Sequence, residues 1–263
     1  MKIDVLVSTM NQSSKKKLLK EMNLNNGVVI INQVTKKISL DKDCINKKIY
    51  FSNVNDKGLS KSRNMAIQKS QADICVIADD DMWYENRYEK TILNAYNKYP
   101  DADIIAFKVE RENKKFRAKI KKEKRVKWLG SMKLSSVQIT FKRKSILNKK
   151  IIFDERFGAG SIYFFGEENI FLFDCLKQKL IIYYVPIKIA TLRDTDFSTW
   201  DKSNSPERYK IQGKIFYRMS TLFFWLFIIQ FAIRKRKRYE KDMTTKEVLK
   251  AMFQGAKELK NGN

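Results

Sequence analysis

The chain has 263 residues, 54 Lys+Arg against 29 Asp+Glu for a net charge of +25, and no histidine. The missing histidine excludes Ser-His-Asp and Cys-His catalysis and histidine metal ligation, leaving acid–base chemistry to carboxylates, Lys or Tyr. Cys44, Cys75 and Cys175 are odd in number, far apart and never C-x-x-C, which argues against a disulfide framework and a zinc cluster.

The length suits one α/β domain with an appendage. The positive excess attracts nucleic acid, anionic lipid or a phosphorylated substrate without choosing among them. Only five residues, Ile3 to Val7, separate Met1-Lys2 from the polar Ser8-Thr9, too short an apolar region for a secretory signal, so the body is expected in the cytoplasm.

Ile3 to Val7 is predicted as a first strand, followed by Ser8-Thr9-Met10-Asn11 and a helix from near Lys15. Small hydroxyl residues there either hold a nucleotide or cap the helix. Strands are predicted at Val28 to Ile31, ending in Asn32-Gln33, and at Ile49 to Phe51, giving the strand–helix–strand period of βαβ units. Gly58 to Ala66 opens a short helix carrying Arg63, either at an anion or in solvent.

Ile74 to Ala78 is apolar without alternation, the mark of a strand covered on both faces, and it delivers Asp79, Asp80 and Asp81 to its carboxyl end. Three adjacent carboxylates repel one another. They read as an acidic turn, or as an oxygen site for Mn²⁺ or Mg²⁺ with positions left for substrate phosphates. Tyr88, Ile92, Ala95, Tyr96 and Tyr99 recur at helical spacing as core, Pro100 stops that helix, and Ile104 to Val109 is another strand. Lys114 to Lys127 is expected as a solvated excursion, Ser136 to Phe141 as a strand, and Lys142-Arg143-Lys144 as mainly solvated surface.

Phe153 to Ser161 is a glycine-bearing loop. Glu167 and Glu168 follow Gly166 in the first turn of a helix whose inner face is Phe171, Leu172, Cys175 and Leu176, and Ile181 to Val185 closes on Pro186 as a late strand. From Met219 to Ile233 no residue is charged, and Arg234 to Arg238 follow. One helix over those residues spans ~22 Å, short of a bilayer, and reads as interfacial on an anionic cytoplasmic membrane face or as a core helix. A last helix carries Val248, Leu249, Met252, Phe253 and Ala256 on one face.

Four of these stretches, in this order, resemble the family 2 glycosyltransferases that build bacterial surface polysaccharides. They are Val5 to Asn11, Gly58 to Ala66, Asp79 to Asp81, and Phe153 to Pro186. The resemblance implies a GT-A fold, an α/β Rossmann-like mixed, mainly parallel sheet flanked by helices, over residues 1–205. A C-terminal helical membrane-proximal appendage would occupy 206–263. It also implies a metal-dependent, inverting transfer of sugar from a nucleotide-diphosphate donor, a UDP-sugar, to a lipid-linked saccharide. Ser8, Thr9, Asn11, Asn32, Arg63 and Asp79 would then bind the nucleotide. Asp80, with Asp81, would hold Mn²⁺ or Mg²⁺, Glu168 would be the general base, and Glu167 and Trp200 would meet the acceptor. Asn32 stands where many members place an Asp that reads uracil. No histidine follows the last strand, where Asp194 or Asp196 could substitute. A GT-A nucleotidyltransferase would need a Gly-rich basic loop after the first strand, which is absent. A nucleic-acid-binding protein would leave the Asp triplet unexplained, so no nucleic-acid partner is expected, and a catalytically silent scaffold would tolerate loss of Glu168.

Overall fold

A computed structural model of the chain describes residues 1–25, 27–35, 48–112, 120–193 and 204–262. The strands among them are β1 (Ile3–Met10), β2 (Val28–Gln33), β3 (Ile49–Val54), β4 (Ile74–Asp79), β5 (Met82–Tyr84), β6 (Ile104–Arg111), β7 (Lys124–Val126), β8 (Ile139–Lys142) and β9 (Ile182–Leu192). The helices are α1 (Lys15–Glu21), α2 (Leu59–Lys69), α3 (Tyr88–Lys98), α4 (Trp128–Ser131), α5 (Arg143–Asn148), α6 (Glu167–Lys177), α7 (Pro206–Met219), α8 (Phe224–Arg234), α9 (Arg236–Tyr239) and α10 (Thr245–Lys260).

One mixed sheet runs β3-β2-β1-β4-β8-β6-β9-β5, with β7 also on β9. The parallel pairings β3-β2-β1-β4 and β6-β9 carry most of the ladder, while each antiparallel pairing is three residues long. Neighbouring residues of β4 point to opposite cores: Ile74, Val76 and Ala78 join the layer containing Ile92 and Tyr96, and Cys75 and Ile77 the layer containing Phe171. This two-sided burial is why the strand is apolar from Ile74 to Ala78.

A third cluster lies under the C-terminal helices, where Phe157, Ile170 and Phe173 meet Ile215, Phe216 and Met252. Gly213 and Gly255 let α7 and α10 cross so closely that a Cβ at either would overlap the other helix's backbone.

The structure differs from the sequence reading in five places. Lys124–Val126, within the expected excursion, forms strand β7 on β9, burying Val126 while Lys124 and Arg125 stay exposed. Ser136–Gln138 is a 3-10 turn before β8. In the expected solvated stretch, Lys142 Nζ donates to Pro100 O and Arg143 Nε to Ile67 O. Pro186 does not end β9. It sits where the register with β6 slips from Val185 to Lys188, a bulge that leaves its missing N–H without consequence. Finally, the uncharged run is broken, because α7 ends at Met219 and the Phe223 N–H donates to Ser220 Oγ at 3.1 Å before α8 begins. No helix among the described residues is long and apolar enough to cross a membrane.

Candidate active site

The carboxyl ends of β1, β2 and β4 lie side by side, with Ser8 opposite Asp79 and Thr9 opposite Asn32. The chain runs from β1 outward to β2 and β3, then returns to β4 on the other edge of β1. Open α/β sheets take their ligands at such a reversal, outside the carboxyl ends of the strands.

The loop residues are held by one another. Ser62, on α2, donates its hydroxyl to Ser8 Oγ at 2.8 Å, and Thr9 Oγ1 donates to Asp80 Oδ2 at 2.6 Å. Asn11 is left-handed at φ 51, and its Oδ1 accepts from the Thr35 N–H. Asn32 is buried. Its amide donates to Gln12 O and Asn53 Oδ1 while Oδ1 accepts from the Gln12 N–H. Asn32, expected beside the nucleotide, therefore fastens the loop after β1 to β2 and β3.

Beneath this edge lies Arg63, 0% exposed. Its Nη2 donates to Asp79 Oδ1 and Ser136 Oγ, both at 3.0 Å, and its Nη1 to Glu167 Oε1 at 2.9 Å. Its Nε has no partner among the described residues. A buried guanidinium needs such acceptors, because each ion withdrawn from water costs roughly several kcal/mol. Arg63, expected beside ribose or diphosphate, is thus an internal bridge, and Glu167, expected at the acceptor, is buried against it.

Glu168 is half-buried next door, at the start of α6 behind the left-handed Gly166 (φ 97). Its Oε1 accepts from Asn169 Nδ2 at 3.2 Å. Burial first, then repulsion from Glu167, pushes its carboxyl up to about 8, against the opposing pull of a backbone N–H and Arg63. A helix N-terminus favours the anion, so desolvation is the stronger influence here.

In the acidic turn, burial and then the charges of Asp79 and Asp80 push Asp81 up to about 6. Asp80 is also raised, first by burial, with the Thr9 hydroxyl opposing. Asp81 Oδ1 is buried without a hydrogen-bond partner among the described residues. Asp79 and Asp81 face a cleft of about 310 Å³, together with Arg111, Lys133, Ser136 and Gln138. Asp80 is not a wall of that cleft; it is turned to Thr9. Neither is Glu168, which reaches it through Glu167, Arg63 and Asp79. Trp200, Asp194 and Asp196 lie outside the described residues.

Arg193 escaped the sequence reading. Its Nη2 donates to Asp80 O at 3.3 Å and its backbone N–H to Asp81 O at 2.9 Å, tying the end of β9 to the acidic turn. A lone cation at a strand end carries no motif, and only its position just before Asp194 hinted at it. Ser136, too, enters the site through the fold and not through any local pattern.

The chain can now be set beside known proteins. The model of Glycosyl transferase family 2 matches residues 16–165, more than half of the chain, stopping short of Glu167. No curated protein matches the sequence significantly. The structure is similar to S. aureus TarS 1-349 in complex with UDP-GlcNAc, with TM-score 0.67 and 16% identity over 97% of this chain and 82% of that one. It is similar as well to TarS 1-349 in complex with UDP, with TM-score 0.63 and 14% identity over 100% and 83%. Likeness at such identity speaks for the fold, a GT-A-like mixed sheet flanked by helices. With the Asp turn, the Gly58 segment and the match over 16–165, the chain belongs to glycosyl transferase family 2.

Proposed function

We propose that this transferase moves a sugar, with inversion, from a UDP-sugar to a hydroxyl of a lipid-linked saccharide at the cytoplasmic face of a membrane, in surface polysaccharide synthesis. The observation that carries the reading is the buried Arg63, which joins Asp79 at the donor end of β4 to Glu167, the neighbour of Glu168. One cation thereby fixes the spacing between the two halves of a displacement site.

In this reading Glu168 takes the proton from the acceptor hydroxyl as that oxygen attacks the anomeric carbon from the face opposite the diphosphate. The bond from that carbon to the diphosphate oxygen breaks, and the nucleoside diphosphate leaves with the electron pair. Ser8, Thr9, Asn11 and Asn32 shape the nucleotide side, and Asp79 and Asp81 face the cleft beside it. The complexes of TarS with UDP-GlcNAc and UDP support a uridine donor.

The acidic turn fits a divalent cation, Mn²⁺ or Mg²⁺. Asp81 has a buried oxygen with no partner among the described residues and an elevated pKa, and Asp79 faces the same cleft. Among the described residues no three His, Cys, Asp or Glu side chains gather as a metal site, so Asp81 with Asp79 or Asp80 would hold the ion and phosphate oxygens would complete its shell. When bound, such an ion neutralises charge on the departing diphosphate.

The test is calorimetric titration with UDP and GDP, with Mn²⁺ or chelator, beside a transfer assay. UDP should bind in the presence of metal, at least about tenfold more weakly in Asp81→Asn, while Glu168→Gln keeps binding and loses transfer. No binding of either nucleotide with metal present would overturn the reading.

A further inference from the structure

Helix α8 is apolar on two sides. Ile228 and Ala232 are buried against the helices around them, whereas Trp225, Leu226, Ile229 and Ile233 are 45%, 44%, 40% and 67% exposed. Leu222 and Phe223, in the turn just ahead, are exposed as well. At about 100° per residue, the four exposed helical positions share one arc of roughly 100°. They form a continuous ridge, and contiguous exposed apolar surface marks a place where something binds.

Charge indicates what that is. Arg234 to Arg238 follow the ridge directly and are exposed, and no Asp or Glu occurs between Glu207 and Glu240. Arg236 reaches Glu240 at 3.4 Å, an exposed pair that water and salt weaken. An apolar ridge ending in a cationic run matches a bilayer interface, which offers acyl chains beneath and anionic headgroups above. With 11 residues α8 is ~16 Å long against ~30 Å of hydrocarbon, so it suits lying in the plane of the interface. The layer it belongs to is coupled to the site: α7 seats Ile215 on Gly166, the turn that presents Glu168.

We propose that the ridge of α8 docks this protein on an anionic lipid bilayer, with Arg234 to Arg238 on the headgroups, and so deepens the membrane-side reading above. The test is sedimentation of the full chain with vesicles rich in phosphatidylglycerol and with vesicles of phosphatidylcholine alone. Binding should be at least about tenfold tighter to the anionic vesicles. A Leu226→Glu/Ile233→Glu variant should lose about that factor at unchanged melting temperature. Brominated acyl chains should quench tryptophan emission in the wild type and much less in Trp225→Phe. Three results would overturn the proposal: no binding to anionic vesicles; a ridge variant that binds like wild type without bromolipid quenching, which is general adsorption of a basic protein; or a lipid-free dimer split by the ridge variant, which puts a second copy on the ridge. UDP titration of the same preparations reports on the transferase reading separately.

Discussion

Glu168 is charged only at a cost, because the same protein atoms that would bring an acceptor hydroxyl to it also remove water from its carboxylate. With its pKa near 8 in the folded protein, kcat/KM should climb as pH rises through that value, and Glu168→Gln should lower it ~10²–10⁴-fold with the limb gone, read from a pH–rate profile. The stability effect has its own sign. A carboxyl raised in the folded state costs nothing below its ordinary 4.5 and its full penalty above about 8, so the melting temperature of Glu168→Gln should gain on wild type across that window. Arg63 carries the opposite risk. Arg63→Met leaves Asp79 and Glu167 facing each other without their cation and should cost ~3–5 kcal/mol by urea unfolding, with much of it restored in Arg63→Met/Glu167→Gln. As candidates, Asp79 to Asp81 stand out in the sequence by their place after an apolar strand, and Glu168 by the resemblance of the Gly166 segment, since two acids at a helix start are otherwise ordinary. The role of Arg63 does not, since its partner Glu167 is 104 positions away and only the fold joins them.

Among the elements, α6 decides whether Glu168 is presented at all. Its start needs Gly166, which is left-handed and so close to Ile215 that a Cβ would overlap that side chain. Gly166→Ala therefore combines backbone strain with overpacking and should destabilise by ~2–4 kcal/mol in urea unfolding, with transfer falling further than UDP binding. A transfer loss no larger than the binding loss would mean that this turn does not position the base. The strands of the sheet could be read from their apolar runs, but Pro186 could not be placed: a proline ends a regular strand and is tolerated at a bulge, and no sequence signal separated the two. α7 opens the helical appendage expected over 206–263, and Ser205 and Pro206 form a standard helix opening, with Ser205 Oγ accepting from the Arg208 N–H. The uncharged run from Met219 to Ile233 reads as one helix because nothing in it is charged, whereas Ser220 breaks it by accepting from the Phe223 N–H.

At the scale of the whole molecule, the question is whether α7 to α10 are a detachable anchor or a part of the catalytic body. If the boundary at 206 that the resemblance implies separated independent units, residues 1–205 would stand alone. The packing argues otherwise. Phe157, Ile170 and Phe173 from the body are buried in the C-terminal cluster, and Arg218 on α7 pairs with Asp154 and Asp174 at 2.8 Å each. Uncovering three large apolar side chains forfeits roughly 1.5–3 kcal/mol apiece, a large share of the ~5–15 kcal/mol that holds a typical domain together. An anchor that merely hung from the domain would open on its own, at a free energy well below that of the sheet. Hydrogen exchange of the full chain distinguishes the two cases amide by amide. The expected outcome is that the slowest amides of α7 and α10 exchange with the same free energy and denaturant dependence as those of α6 and β4, as one cooperative unit. Earlier opening of α7 and α10 with α6 still protected would instead make the C-terminal helices an appendage, and would remove the mechanical link between a docked α8 and the Gly166 turn.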